Sequence, residues 1–342
     1  MREPISEITC LPGSKIYIFC PAGCATGGPE ALHQLGYHLN LQGFNAFMCY
    51  YLTPDSKGIV HANYEKYQVP YVTALQVENK REHIIILPET YLSPIFKSKY
   101  SLVRKAIWWL SVTNYHITQQ NYIDHISRKR FFTIRKAIGS FKIASFKKLK
   151  RERILNIGHS YFSMLYLKEN GIEPVGQISD YMNNAFFELA GSEAKKEDII
   201  IYNPKKNDEF LGEIIGLTPH LNWKPLEGMT PKQVADWMNR AKLYIDFGYH
   251  PGKERMPREA CIMRCCMIIG KTGSAAYQAD MPIPEKYRFE KVKEEIPNII
   301  ERIEDCLANY DQLADDFKSY RQVLHGEKEK FIEDIKKVFI KR

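Results

Sequence analysis

Residues 15–51 read KIYIFCPAGCATGGPEALHQLGYHLNLQGFNAFMCYY. Apolar runs at 15–21 and 45–51 flank a stretch of helical length, and this pattern predicts a strand, a helix and a second, parallel strand. The Gly-rich segment AGCATGGPE follows the first strand, at the carboxyl end where open α/β sheets bind their ligands. The stretch therefore predicts a βαβ unit with a candidate ligand loop.

The same alternation of short apolar runs and helix-length stretches continues on both sides of a charged segment, SEAKKED. Strands are predicted at 83–88, 105–112, 153–160, 198–204, 221–226, 242–248 and 267–273. Parallel sheets covered by helices produce this pattern. The predicted fold class is therefore α/β, with two doubly wound, Rossmann-like domains and surface helices from Val292 onward.

The composition narrows the class of protein. The chain has 342 residues, 44% hydrophobic and 26% charged, which is ordinary for a globular protein and long enough for two domains. A formal charge of +8 favours anionic partners. The eight cysteines are too sparse for a disulfide scaffold, and the sequence shows neither a signal peptide nor a membrane-spanning apolar run. We expect a cytoplasmic protein.

Two interpretations of the Gly-rich loop stay open. Gly23, Gly27 and Gly28 lack the G-x-G-x-x-G spacing of dinucleotide sites, and the chain contains no P-loop motif. Either the glycines let the backbone approach a ligand beside a helix that begins near Pro29 and Glu30, or they serve only a tight strand-to-helix turn.

Two apparent motifs are disfavoured by their neighbours. Ser160 in IGHSYFS lacks the glycine that a hydrolase nucleophile elbow needs two residues later, because Phe162 stands there. Cys261, Cys265 and Cys266 are predicted to lie in one helix, with no second cysteine or histidine pair at zinc-binding spacing. We expect these cysteines to be buried as small apolar residues.

Residues 244–276, YIDFGYHPGKERMPREACIMRCCMIIGKTGSAA, combine a charged loop with a helix start. The strand ends at Gly248 and the helix is predicted to begin at Pro257. The loop and the first helical turn carry His250, Lys253, Glu254, Arg255, Arg258 and Glu259. Because helix N-termini and arginine both favour phosphate, this block predicts a diphosphate site.

Two further loops supply phosphate-compatible groups. Lys205 and Lys206 follow the strand at 198–204, and the run from Lys271 to Ser274 follows the strand at 267–273. The carboxyl ends of parallel strands share one edge of a sheet, so we expect the three loops to lie together. For any single residue the alternative is a solvated charged loop.

With these blocks the chain resembles the GT-B glycosyltransferases, and more closely the bacterial enzymes of the "glycosyl transferases group 1" type. The matching blocks are AGCATGGPEALHQLGYHL, IGHSYFSMLYLKENGIEPVGQISDYMN, IIIYNPKKN, WWLSVTNY and HPGKERMPREA. The resemblance spans nearly the whole chain. It implies an acceptor domain over 1–188 and a donor domain over 189–325, facing a cleft, with a C-terminal helix at 326–342 that packs back on the first domain.

The resemblance also implies roles for individual residues. Glu259 matches the second glutamate of the family's paired-Glu motif, which contacts the donor ribose, and Lys205 or Lys206 matches the basic residues on the diphosphate. The residues expected to bind the nucleotide sugar are Gly27, Gly28, Lys205, Lys253, Pro257, Arg258, Glu259, Gly273 and Ser274. The expected catalytic residues are Arg255, Lys206 and His250.

The chain departs from the family pattern at two places. The first glutamate of the motif precedes the second by eight residues, where this chain has Pro251, or Gly252 if the match is anchored on Pro257. Thr113 stands where an aspartate is expected. The donor sugar and the stereochemical outcome therefore stay open, and we expect retention, the usual outcome in the family.

An inverting transfer would need a base near the acceptor hydroxyl. The candidates at loop or strand-end positions are His33, His61, Glu89 and His159. No Asp-x-Asp metal signature follows a predicted strand, so we expect neither a metal ion nor a cofactor besides the nucleotide sugar as co-substrate.

The stretch 128–153 is strongly basic, with eleven Lys or Arg and one acid, Glu152. Its apolar residues at helical spacing are Phe131, Ile134, Ile138 and Phe141. Such a helix can dock on an anionic membrane surface or pack on the first domain, and no nucleic-acid-binding motif accompanies the charge. We expect docking at the inner face of the membrane and no nucleic-acid partner.

Together these features predict a glycosyltransferase that moves a sugar from a nucleotide-diphosphate donor to a surface polysaccharide or lipid-linked glycan. Two alternatives are a non-catalytic nucleotide-binding scaffold of the same fold and a nucleotide-sugar epimerase.

Overall fold

A computed structural model describes residues 6–51, 59–128, 144–182, 184–190, 195–206 and 208–342. The chain divides into two compact units. Unit 1 comprises Met1–Asp180 with Lys330–Arg342, and unit 2 comprises Tyr181–Glu329. The boundaries 1–188, 189–325 and 326–342 remain predictions of where independently folding domains begin and end.

Unit 1 contains two parallel sheets. Its strands are β1 (Ile8–Cys10), β2 (Lys15–Pro21), β3 (Asn45–Tyr51), β4 (Tyr71–Val72), β5 (Ile84–Pro88), β6 (Arg104–Trp109), β7 (Leu155–Gly158) and β8 (Gly176–Gln177). The large sheet has the order β4-β3-β2-β5-β6-β7-β8. The helices of this unit are α1 (Gly27–Leu41), α2 (Val112–Arg128), α3 (Phe146–Arg151) and α4 (Tyr161–Glu169), with 3-10 turns at Ala62–Tyr67, Ser93–Phe96 and Ser98–Tyr100.

Unit 2 contains a five-stranded parallel sheet. Its strands are β9 (Glu197–Tyr202), β10 (Asn222–Pro225), β11 (Ala241–Asp246), β12 (Cys266–Gly270) and β13 (Arg288–Phe289), in the order β10-β9-β11-β12-β13. The helices are α5 (Asn184–Ala190), α6 (Glu209–Leu217), α7 (Pro231–Arg240), α8 (Arg255–Ile262), α9 (Ile296–Ala308), α10 (Tyr310–Leu313) and α11 (Lys318–His325). The 3-10 turns lie at Gly273–Ala276, Glu285–Tyr287, Lys293–Glu295 and Ala314–Phe317.

The last helix, α12 (Glu327–Val338), contains the second boundary between the units. It is followed by β14 (Phe339–Lys341), which pairs in parallel with β1 to form the small sheet of unit 1. The predicted C-terminal helix is thus present, but the two short strands β1 and β14 were not predicted from the sequence.

The βαβ prediction for residues 15–51 is confirmed. Strands β2 and β3 pair in parallel from Lys15 opposite Asn45 to Pro21 opposite Tyr51. Helix α1 begins at Gly27, two residues earlier than predicted, because Thr26 adopts the extended N-cap conformation. Gly36 lets α1 lie close to the sheet, since a Cβ there would come within 3.0 Å of Val69 and 3.4 Å of Ile18.

The predicted start and the predicted end of helix α8 were both wrong. Helix α8 begins at Arg255 rather than Pro257, so that Pro257 is its third residue, where a missing N–H costs no helical hydrogen bond. The helix also ends earlier than expected, because Arg264 turns the chain with a φ of 62°. Cys265 therefore lies in the turn and Cys266 begins β12, although all three cysteines are buried as predicted.

The strand orders place a topological switch point in each unit. From β2 the connections run outward to β3 and β4, and the chain then returns to β5 on the other side of β2. In unit 2 the same reversal occurs between β9 and β11. At such a point neighbouring loops diverge at the carboxyl ends of the strands and leave a crevice for a ligand.

In the part of the chain that the structure describes, no helix combines the length and the apolar character needed to cross a membrane.

Candidate functional site

The candidate site of unit 2 is formed by three loops, which follow neighbouring strands. Loop A (203–206) follows β9, loop B (247–254) follows β11, and loop C (271–276) follows β12. The prediction that these loops share one edge of the sheet is confirmed. Loops A and B flank the switch point, which is the expected ligand position in this sheet.

Hydrogen bonds hold loop C against loop B. The Ser274 amide donates to the carbonyl oxygen of His250 at 2.8 Å, and the Ser274 hydroxyl donates to that of Gly252 at 2.6 Å. Gly273 has a φ of 53°, and a Cβ there would overlap the carbonyl oxygen of His250. The residues Gly273 and Ser274 thus fix the shape of loop B, and their direct contact with a nucleotide stays a prediction.

Loop A meets loop B at Gly248 and Glu254. A Cβ on Gly248 would lie 2.6 Å from the carbonyl oxygen of Lys206, so the close approach of the two loops requires glycine. The Lys206 ammonium forms an ion pair with the Glu254 carboxylate. Lys205, in contrast, is exposed. Of the two lysines that the sequence left open, the structure brings Lys206 to the switch point.

Helix α8 begins at this crevice. Glu254 is its N-cap residue but makes no side-chain capping hydrogen bond, so the first-turn N–H groups remain suited to an anion. Arg255, the first helical residue, lies with its Nε 3.7 Å from the Glu259 Oε1, and the two side chains are 28% and 10% exposed. Arg255 and Glu259 thus lie together near the end of the helix that faces the predicted diphosphate.

Lys253 and Arg258 are held by a residue that sequence reasoning missed. Glu327 accepts hydrogen bonds from Lys253 Nζ at 2.7 Å and from Arg258 Nη1 at 3.0 Å. Arg258 also donates to the carbonyl oxygens of Lys253 and Glu254. All three side chains of this ion triad are largely buried, so the geometry favours a positioning role for the two cations. Their predicted contact with a donor phosphate stays a prediction.

His250 lies beneath loop B with its side chain 1% exposed. Its Nε2 is 3.8 Å from Asp246 Oδ1, and neither ring nitrogen has a hydrogen-bond partner in the described part of the protein. Burial lowers the pKa of His250, although the Asp246 carboxylate acts in the opposite direction. Burial thus favours the neutral ring, and the predicted catalytic role of His250 stays a prediction.

The predicted Gly27 and Gly28 lie in unit 1, in the first turn of α1 after β2, and all other predicted site residues lie in unit 2. A Cβ on Gly28 would make only an ordinary contact, 3.6 Å from Leu110. Packing therefore does not demand glycine there. Both interpretations of the Gly-rich loop remain compatible with this position.

Three of the four candidate bases in unit 1 make polar contacts with other residues of that unit. His33 bonds to the Pro29 carbonyl at 2.7 Å and to the Tyr50 hydroxyl at 2.8 Å, and burial lowers its pKa. His61 accepts from the Asn63 amide as an N-cap. The Nε2 of His159 lies 3.1 Å from the Oδ1 of Asp180. Each has a structural function that accounts for its position.

Ser160 is also explained by local structure. It is the N-cap of α4, where its hydroxyl accepts from the Ser163 amide at 3.1 Å, and it is fully buried. This agrees with the prediction that Ser160 is not a hydrolase nucleophile.

Glu89, the fourth candidate base, follows β5 at the switch point of unit 1. Its carboxylate is 2% exposed and accepts a hydrogen bond from the Leu110 amide at 2.9 Å. Burial raises its pKa from 4.5 to about 8, against the effect of the backbone hydrogen bonds. Glu89 is therefore largely protonated at neutral pH and joins the ends of β5 and β6.

Glu89 predicts a pH dependence of stability. Because the folded state holds the Glu89 proton more tightly than the unfolded state, stability is lost as the pH rises from about 5 to 8. We expect Glu89→Gln, which keeps an acceptor for Leu110, to remove on the order of 2 kcal/mol of this loss. Urea unfolding of both proteins at pH 5 and pH 8 measures the difference. Parallel pH profiles would contradict the assignment.

Only part of the basic stretch 128–153 lies within the described residues. Phe131, Ile134, Ile138 and Phe141 lie outside them. Helix α3, at the end of the stretch, buries Leu149 and exposes Lys147, Lys150 and Arg151. Membrane docking by this stretch stays a prediction.

Comparison with known proteins shows which solved structures share the fold of this chain. No family model and no curated relative matches the sequence. HepE of Anabaena in complex with UDP and glucose matches with a TM-score of 0.64 at 12% identity, over 94% of this chain and 98% of that one. A glycosyltransferase of Rickettsia africae matches with a TM-score of 0.59 at 12% identity, over 94% of each chain. Sucrose-phosphate synthase of Thermosynechococcus elongatus matches with a TM-score of 0.57 at 12% identity, over 94% and 98%. The chain thus has the predicted GT-B fold, with two Rossmann-like units, that these solved structures share.

Proposed function

We propose that the protein transfers a glycosyl group from a nucleoside-diphosphate sugar, with the donor bound to loops A, B and C of unit 2. One observation carries the proposal: Lys206, Arg255 and the first turn of α8 lie together at the switch point of a parallel sheet. The likeness of the fold to HepE, whose structure contains UDP and glucose, supports the same ligand class.

The chemistry follows from the charge that develops on the leaving group. When the bond between sugar and diphosphate breaks, negative charge grows on the diphosphate, and preorganised cations and N–H groups stabilise it. Lys206 and Arg255 supply the cations, and α8 supplies the N–H groups. Arg255 also holds Glu259, whose carboxylate can accept hydrogen bonds from the ribose hydroxyls.

The neutral ring of His250 completes the proposed machinery. Because the side chain is buried beneath loop B, we propose that loop B moves when the donor binds and that the ring then offers one N–H or one lone pair to the donor sugar. We propose that the transfer retains the configuration of the sugar, since a retaining reaction needs no strong general base. We propose a surface polysaccharide or a lipid-linked glycan as the acceptor, and docking of 128–153 on an anionic membrane as the means of reaching it.

The non-catalytic scaffold is the second candidate. It is favoured by Pro251, which stands where the resembling family has its first glutamate. Product analysis separates the candidates. A transferase releases nucleoside diphosphate from its donor, an epimerase converts the donor sugar without acceptor, and a scaffold binds nucleotide without either reaction.

The first test is thermal stabilisation by nucleoside diphosphates and nucleotide sugars. We expect one diphosphate family to raise the Tm, and Glu259→Ala to weaken its binding about tenfold, because a ribose hydrogen bond to a charged acceptor is lost. Glu301→Ala, which removes an exposed carboxylate from α9, serves as the control and should bind as the wild type does. The donor site would be refuted if no nucleotide shifted the Tm.

A further inference from the structure

Unit 1 contains a cavity of about 300 Å³ at the edge of the sheet opposite the Gly-rich loop. Its walls come from the turn before β2, the turn between α1 and β3, and the last residues of β14 and beyond. Gly13 and Gly43 shape these turns, with φ values of 78° and 75°. The lining also includes the polar residues Ser14, Asn45, Lys341 and Arg342.

One of these side chains is a buried hydroxyl. Ser14 is 6% exposed, and its Oγ has no hydrogen-bond partner in the part of the chain that is described. A buried hydroxyl without a hydrogen-bond partner is unfavourable, and a ligand that accepts its hydrogen bond would remove this cost. Ser14 thus offers a donor to a group inside the cavity.

The cavity also carries uncompensated positive charge. Lys341 lies with its Nζ 4.9 Å from the centre of the Phe44 ring, and no carboxylate within the described ranges pairs with it. Arg342 lines the same cavity and donates to Glu7 at 3.0 Å. Burial raises the pKa of the Cys10 thiol in the cavity wall, while Arg104 and Lys341 both act against this increase. Two cations and one acid at the opening attract an anion.

The volume limits how much of that anion the cavity can enclose. At roughly 30 Å³ for each water-sized group, the cavity holds about ten non-hydrogen atoms. A nucleoside diphosphate is more than twice as large, whereas a phosphate ester of a three-carbon alcohol fits. A phosphate dianion also matches an ammonium and a hydroxyl donor.

We propose that this cavity binds a small phosphate monoester, with Lys341 and Ser14 as the residues that hold its phosphate. The site is separate from loops A, B and C and does not depend on the proposed transferase activity. Because β1 and β14 both border the cavity, a bound ester would also stabilise the pairing of these two strands.

Titration calorimetry with glycerol 3-phosphate tests the assignment. We expect Lys341→Gln to weaken binding at least about fivefold and Ser14→Ala about threefold. Lys336→Gln removes an exposed charge from α12 outside the cavity wall and should leave binding unchanged. Inorganic phosphate, measured alongside, should bind more weakly because it leaves most of the cavity unfilled.

Three outcomes would overturn the proposal. Absence of saturable binding to the wild type would remove the site. Equal affinity for inorganic phosphate and glycerol 3-phosphate would exclude an ester. Binding weakened by Lys206→Gln but not by Lys341→Gln would place the anion at the donor loops of unit 2, and would support the transferase proposal while ending this one.

Discussion

Replacing Glu327 by alanine is expected to lower the free energy of unfolding by about 3–5 kcal/mol, because it leaves two buried cations without their common carboxylate. Lys253 and Arg258 both donate to Glu327, and neither could recover full hydration in its present position. The loss should be greatest in loop B and α8. Urea unfolding measures the total effect, and hydrogen exchange at the amides of α8 measures it locally.

Glu329→Ala provides the matched control. Glu329 lies two residues further along α12 and is exposed, so its removal should change stability by no more than about 0.5 kcal/mol. A second variant, Glu327→Gln, keeps the size of the side chain but removes its charge. We expect it to show most of the loss in unfolding free energy that is predicted for Glu327→Ala. If Glu327→Ala and Glu327→Gln both unfolded like the wild type, the ion triad would have no role in holding loop B.

With UDP as the probe of the proposed donor site, Lys206→Gln is expected to weaken binding about 30- to 100-fold, since it would remove the proposed charge-assisted contact to the diphosphate. Glu254→Gln is expected to have the opposite effect and to strengthen binding about fivefold. The reason is that Glu254 pairs with the Lys206 ammonium, and a bound diphosphate must compete with this carboxylate. Calorimetric titration of UDP into each variant gives both values.

Opposite effects of Lys206→Gln and Glu254→Gln on the affinity would show that the Glu254 carboxylate competes with the diphosphate for Lys206. If Glu254 only held Lys206 in place, both substitutions would weaken UDP binding, and the competitive interpretation would be wrong. Lys318→Gln, which removes an exposed cation at the start of α11, controls for the change in net charge and should alter affinity less than twofold.

The strands of the two larger sheets were predictable wherever a continuous apolar run fills a buried strand. The run IIILP in β5 and the run CMIIG in β12 are buried at every position, so their hydrophobicity alone indicates a central parallel strand. Strands β1 and β14 were not predictable in this way. Each has three residues and no extended apolar pattern, and they are joined only because β14 returns to the first unit.

The candidate site was predictable where chemistry and strand ends coincide in sequence. Lys206, Arg255 and Glu259 all follow a predicted strand or begin the next helix, which the sequence shows directly. The partners of these residues were not predictable. Glu327 lies 69 residues from Arg258, and no local pattern distinguishes it from other glutamates of an amphipathic helix. Its role depends on the tertiary packing of α12, which only the structure reveals.

The small sheet of β1 and β14 also bears on how the protein is made. During synthesis the ribosome releases all of unit 2, residues 181–329, before the segment that completes unit 1. At ordinary elongation rates this interval lasts on the order of ten seconds or more. During this interval β1 has no partner strand, because β14 has not yet been synthesised. Gly176 likewise lacks its neighbour Val338, whose Cγ2 would lie 2.6 Å from a Cβ at that glycine. The unit that is translated first is therefore the last to be completed.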